Sequence, residues 1–188
     1  MYNRKQVKAN AKAALKGHLG ISIVVALVVG LLLSVASTTV IGAILLAGPL
    51  TAGLAFFFTK LYRKEDVNFN DSFVGFSNFS NNVVAGILVA VFTFLWTLLF
   101  FIPGIIKQLS YSMTFYILND HPEYTAKQAI TKSRKMMNGH KWNLFVLYLS
   151  FIGWDLLSVL TLGILEIVYV APYRKEAVAG FYDAIKGE

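Results

Sequence analysis

Long apolar blocks alternate with short polar, basic ones along this chain. Residues 19–59 contain no Asp, Glu, Lys, Arg or His, which is enough for two bilayer crossings at roughly 20 apolar residues each. The expected crossings are 21–37 and 41–59, broken near Ser37–Thr39. Pro49 should kink the second, because it removes one backbone donor and crowds the preceding turn. A second pair is expected over 83–101 and 105–119, reversing at Pro103–Gly104, a strong turn signal. A third pair starts at Trp142 and folds back at Thr161–Gly163.

The polar blocks between these pairs carry helical periodicity. In 3–17, Lys5, Lys8, Lys12 and Lys16 recur at helical spacing, with Val7, Ala11, Ala14 and Leu15 on another face. A secretory signal with cleavage after Ser34-Val35-Ala36 competes, but its apolar core would span only about 7–15 residues. A retained first crossing is therefore expected. Phe69, Phe73, Phe76 and Phe79 would form one aromatic stripe on a helix capped by Asn70 or Asp71. Such a helix could lie in the membrane interface or plug the cytoplasmic mouth of the bundle. Asp120-His121-Pro122-Glu123 is expected to open another helix. Its inner face would be Ala126, Ala129, Ile130, Ser133, Met136 and Met137, with Lys127, Lys132, Arg134 and Lys135 off that face.

Matches between distant segments suggest a threefold repeat. A shift of 122 residues lays Lys5-Gln6 on Lys127-Gln128 and Gly17-His18 on Gly139-His140. A shift of 58 lays Trp96-Thr97-Leu98-Leu99 on Trp154-Asp155-Leu156-Leu157. The expected fold is thus all-α: one integral membrane domain over 1–188, with six transmembrane helices as three hairpins (19–60, 83–120, 142–182). Amphipathic interfacial helices (3–17, 69–80, 124–138) precede the hairpins. Gly30 with Ser34, and Gly48 with Ala52, have the small-residue spacing that lets helices approach closely.

Composition agrees with a membrane chain: 56% of the 188 residues are hydrophobic, 14% are charged, and mean hydropathy is +0.61. A soluble domain carries about 25% charge. The net charge of +7 would suit nucleic acid, but basic residues that flank apolar spans have a topological explanation, so no nucleic-acid partner is expected. With six crossings, sixteen of the seventeen Lys and Arg fall on one side, Lys107 being the exception. Lys and Arg mark the cytoplasmic face, so both termini are expected inside.

The segment AxxxSRKMMNG, then GHKWNLFVLYLSFIGWDLLSVLTLGIL, then APYRKEAVAGFY, resembles the bacterial membrane-protein family known as domain of unknown function nine-seven-five. The strong likeness covers about 126–182; the first half resembles the family in layout. That resemblance implies a polytopic protein of the bacterial plasma membrane and brings no established activity. Gly163-Ile164-Leu165-Glu166 departs from the family's Gly-Ile-Gly, which makes Glu166 a feature of this chain. The layout is also similar to the membrane part of some glycerophosphodiester phosphodiesterases, whose soluble catalytic domain has no counterpart here.

No HExxH, GxSxG, phosphate-binding loop or cysteine pair is present. No catalytic residue, cofactor or metal is expected, and His18 and His140, each just before a span, read as polar anchors or a metal pair. Lys107, Asp155 and Glu166 form the candidate intramembrane polar cluster, since charges in a bilayer face the interior, pair or mark a pathway. The alternative is that each snorkels to headgroups alone. Lys5, Lys8, Lys12, Lys127, Lys132, Arg134 and Lys135 are candidate contacts for the anionic inner leaflet. Two functions follow. One is a non-enzymatic membrane protein contacting lipid or a membrane partner, including a second copy of itself. The other is a small transporter built around the polar cluster.

Overall fold

The computed structural model describes residues 2–99 and 101–187. All regular structure among them is helical: α1 (Arg4–Ala36), α2 (Val40–Tyr62), α3 (Phe79–Leu99), α4 (Phe101–Tyr111), α5 (Thr114–Asp120), α6 (Ala126–Met136), α7 (Lys141–Leu149), α8 (Ile152–Leu160) and α9 (Ala171–Ile185). A 3₁₀ segment occupies Phe69–Phe76, and one π turn, Glu166–Val170, leads into α9. Among the described residues, four helices are long and apolar enough to cross a membrane: α1, α2, Phe79–Leu98 of α3, and α7 with α8 over Lys141–Leu160.

Local chemistry sets the helix boundaries. Asn3 caps α1 by accepting from the Lys5 and Gln6 amides. His18, with φ −127° and ψ 20°, breaks the helical path of α1, so the basic 4–17 portion and the apolar 19–36 portion are separate rods. Val7, Ala11 and Leu15 are buried on the first rod, as the periodicity predicts. Thr39 caps α2 through the Gly42 amide.

The reversal expected at Pro103–Gly104 lies elsewhere. α3 ends at Leu99 and α4 starts at Phe101, which puts Pro103 and Gly104 inside the first turn of α4. There the missing Pro N–H is not needed, and Gly104 comes against Thr97 of α3. The aromatic segment is 3₁₀, and its cap is Asn68, which forms a capping box with Asp71. The Phe stripe is nonetheless a ladder, with ring centroids 5.4, 6.3 and 6.1 Å apart from Phe69 to Phe79. Likewise Asp120 ends α5, and α6 starts later, from a capping box between Thr125 and Gln128.

Glycine determines how α2, the 3₁₀ segment and α3 meet. A Cβ on Gly53 would stand 1.8 Å from the Ser72 carbonyl oxygen, one on Gly48 2.0 Å from that of Asn82, and one on Gly75 2.0 Å from that of Pro49. Backbone therefore packs on backbone along this seam, and Asp71 and Ser72 are buried in it. The close approach expected at Gly48 and Ala52 is present. At Gly30 it is not: nothing lies within 4 Å of a Cβ there, and the exposed Ser34 donates to Leu31 of its own helix.

The core packs Leu15 of α1 with Leu50, Phe57, Phe58 and Leu61 of α2, Ile117 of α5, and Phe181 and Tyr182 of α9. Large apolar side chains left exposed fall almost entirely in 24–45, 84–106 and 148–168. Those three stretches contain no Lys or Arg. So much outward apolar surface exceeds what a soluble monomer presents and is compatible with a membrane protein.

Candidate functional site

Two of the three sequence-predicted intramembrane charges are brought together, by a residue the sequence reading counted only among the sixteen basic residues on one side. Arg174 donates through Nη2 to Oδ1 of Asp155, and the same nitrogen stands 3.5 Å from Oε1 of Glu166. The Ser158 hydroxyl, which donates to the Trp154 carbonyl at 2.9 Å, stands 3.4 Å from the other Glu166 oxygen. Eight residues separate Glu166 from Arg174, which in a straight α-helix leaves them about 80° apart. The π turn adds one residue to its turn and restores the seven-residue register, so both side chains share a face. A search for 3.6-residue periodicity has no means of finding such a pair.

Lys107 does not join them. Its ammonium stands 4.2 Å over the Trp96 ring, and its charged neighbours are Arg134 and Lys141. The ring face attracts the cation, and both carboxylates are engaged by Arg174 instead. The charge that the sequence set apart from the other sixteen thus lies near two of them. We expect Arg174→Gln and Asp155→Asn to couple by about 1–3 kcal/mol in a double-mutant cycle in detergent. Lys107→Met and Asp155→Asn should add within about 0.5 kcal/mol. Thermal unfolding of the single and double variants decides this, and coupling between Lys107 and Asp155 would contradict the geometry.

Of the lipid-contact candidates, Lys5, Lys12, Lys127, Lys132, Arg134 and Lys135 are exposed. Lys127, Lys132 and Lys135 line an open cavity of about 530 Å³ with Tyr124 and Gln128. Lys8 is diverted inward: it donates to the Ser150 carbonyl and hydroxyl at 3.1 and 3.0 Å and lies 4.2 Å from the Phe151 ring centroid. It bridges the first rod of α1 to the α7–α8 junction. No group of three or more His, Asp or Glu is placed to hold a metal among the described residues.

Sequence reasoning missed a second charged assembly. Arg63, just past α2, donates to both Asp120 oxygens at 3.0 and 2.7 Å and to both Asp183 oxygens at 2.9–3.2 Å. Tyr182 donates to Asp120 at 3.0 Å, and Lys186 stands 2.7 Å from Asp183. One guanidinium thereby ties the ends of α2, α5 and α9. Burial raises the Asp120 carboxyl, but the Arg63 hydrogen bonds and charge, with Tyr182 and Lys186, bring it below its ordinary value. Glu176 of α9 was missed as well; it is fully buried, and neither oxygen has a hydrogen-bond partner among the described residues.

A family model described as "Protein of unknown function (DUF975)" matches residues 1–107 and again 98–188. No curated protein and no solved structure matches the chain. With both matches together spanning its length, and with an all-helical fold carrying several membrane-length apolar helices, the chain belongs to the DUF975 family of proteins of unknown function.

Proposed function

We propose that this is a non-enzymatic multi-pass protein of the bacterial plasma membrane that works by contacting lipid or a membrane partner. The carrying observation is the separation of two surfaces. Exposed large apolar side chains concentrate in three stretches without Lys or Arg, while the exposed lysines cluster on the first rod of α1 and on α6. An anionic leaflet attracts such clusters at about 1 kcal/mol per basic residue near its surface.

Six crossings complete this proposal. Besides the four long apolar helices, 101–119 and 164–182 each rise about 28 Å at 1.5 Å per residue, close to the roughly 30 Å of a bilayer core. The first contains the 112–113 break and the second the π turn. Both termini then share the cytoplasmic side with the basic residues.

Because the chain has no cysteine, single cysteines report sidedness cleanly. Cysteine at Thr38 or at Leu162, which is 94% exposed, should react with an impermeant thiol reagent in intact cells. Cysteine at Lys12 should react only after permeabilisation. The reverse pattern overturns the orientation, and opposite sides for Thr38 and Leu162 overturn the six-crossing layout.

A further inference from the structure

A cleft of about 370 Å³ lies where α5, α7 and α9 meet, lined by Tyr116, Tyr148, Glu166, Arg174, Lys175 and Val178. Its charges are not alike in their surroundings. At one end Arg174 is occupied by Asp155 and Glu166. Lys175, by contrast, makes neither ion pair nor hydrogen bond among the described residues, and the charged group acting on it is Arg174, not a carboxylate. The Tyr148 hydroxyl also has no hydrogen-bond partner among the described residues, and Tyr148 is 38% exposed beside the exposed Leu149 and Ile152. Seven residues of α7, about 10 Å, separate Tyr148 from Lys141 at its start. In the six-crossing layout proposed above, the cleft mouth lies within headgroup and upper acyl depth of the leaflet that meets Lys141.

We propose that this cleft binds one anionic phospholipid of that leaflet, its phosphate on Lys175 with Tyr148 and Tyr116 donating, and its acyl chains along Leu149 and Ile152. The proposal rests on the lipid-contacting reading above and assigns it a site. A half-buried ammonium with no ion pair among the described residues lacks a counter-charge, and a phosphate supplies one in a charge-assisted hydrogen bond. Of the carboxylates nearby, Asp155 and Glu166 are held by Arg174, and Glu176 is fully buried on α9 behind Tyr116. Tyrosine suits the place, having an apolar body for the acyl region and a polar tip for the headgroup.

Native mass spectrometry of the full chain in mild detergent tests this, with phosphatidylglycerol or phosphatidylcholine added. Wild type should retain one phosphatidylglycerol at least about tenfold more tightly than phosphatidylcholine, a typical effect of one charge-assisted contact. Lys175→Gln should abolish that preference, Tyr148→Phe should weaken it, and Lys175→Arg should keep it. Millimolar inorganic phosphate should not displace the lipid. Undiminished preference in Lys175→Gln overturns the site, as does its loss in Lys132→Gln/Lys135→Gln with Lys175 intact, which would assign it to surface lysines. Displacement by phosphate alone would make this a free-anion site and overturn the lipid. If Lys175→Gln fails to fold, Lys175→Arg and Tyr148→Phe still decide: equal retention of both lipids by Lys175→Arg, or an unchanged preference in Tyr148→Phe, counts against it. Micelles have no sidedness, so a reversed cysteine-labelling pattern would remove the orientation and leave this binding result standing.

Discussion

Gly53→Ala should destabilise the protein by about 3 kcal/mol or more, at or beyond the upper end of what overpacking usually costs. The added carbon would sit 1.8 Å from the Ser72 carbonyl oxygen and 2.6 Å from its carbon. Those are backbone atoms of the docked 3₁₀ segment, so no rotamer change relieves the clash; α2 and the segment must part. Burial of Asp71 and Ser72, and the Lys60–Asp71 ion pair at 3.0 Å, depend on that docking. Gly20→Ala in α1 is the control, since nothing lies within 4 Å of its Cβ, and alanine there should be neutral or stabilising by up to about 1 kcal/mol. Thermal unfolding in detergent, followed by loss of a monodisperse species, separates the two. Equal stability of Gly53→Ala and Gly20→Ala would show that the seam opens freely.

Arg63→Met should cost about 3 kcal/mol, the lower part of the range for breaking a buried pair. The side chains are partly exposed, at 26% for Arg63 and 16–23% for the two aspartates, and Lys186 remains near both carboxylates. Removing the guanidinium leaves Asp120 and Asp183 facing one another with one lysine between them. Arg63→Lys should recover little, because an ammonium cannot make the two forked contacts. Adding Asp120→Asn to Arg63→Met should recover part of the loss by removing the stranded charge. Acid provides an independent check. Asp120 has a folded-state value below its ordinary one, so its contribution is present above an unfolded value near 4 and is lost as pH falls through the folded value. Wild type should lose stability below about pH 4 more than Asp120→Asn does. If Arg63→Met unfolds with wild-type stability, the three helix ends are not held by this contact.

The sequence made the apolar blocks legible because each is long enough to swamp local ambiguity. It also made the inner faces of the basic helices legible: Val7, Ala11 and Leu15, and Ala126, Ala129, Ile130 and Ser133, recur at helical spacing and are buried. Caps were displaced by a few residues, since Asn68 and Asp71, or Thr125 and Gln128, become caps only once the chain turns there. Lys107, Asp155 and Glu166 stood out as charges among apolar residues, but charge alone names no partner. The partner of the two carboxylates was Arg174, which the charge count had placed with the other basic residues on one side. Arg63, Asp120 and Asp183 lie 57 and 120 residues apart along the chain, a separation at which periodicity is silent.

The single π turn has a consequence for how this chain tolerates change in length. Every residue of α9 inherits its azimuth from that turn. Removing one residue from 166–170 would restore an ordinary helix and rotate 171–185 by about 100° relative to the residues before the turn. Such a deletion leaves the composition nearly intact, yet it would swing Tyr173 off the Lys8 carbonyl, Gly180 off the Tyr62 ring and Asp183 off Arg63 in one step. Point substitutions in this segment act on one contact at a time, whereas a length change acts on all of them as a phase error. The spacing between Glu166 and Arg174 is accordingly as much a part of the fold's specification as the identity of either side chain.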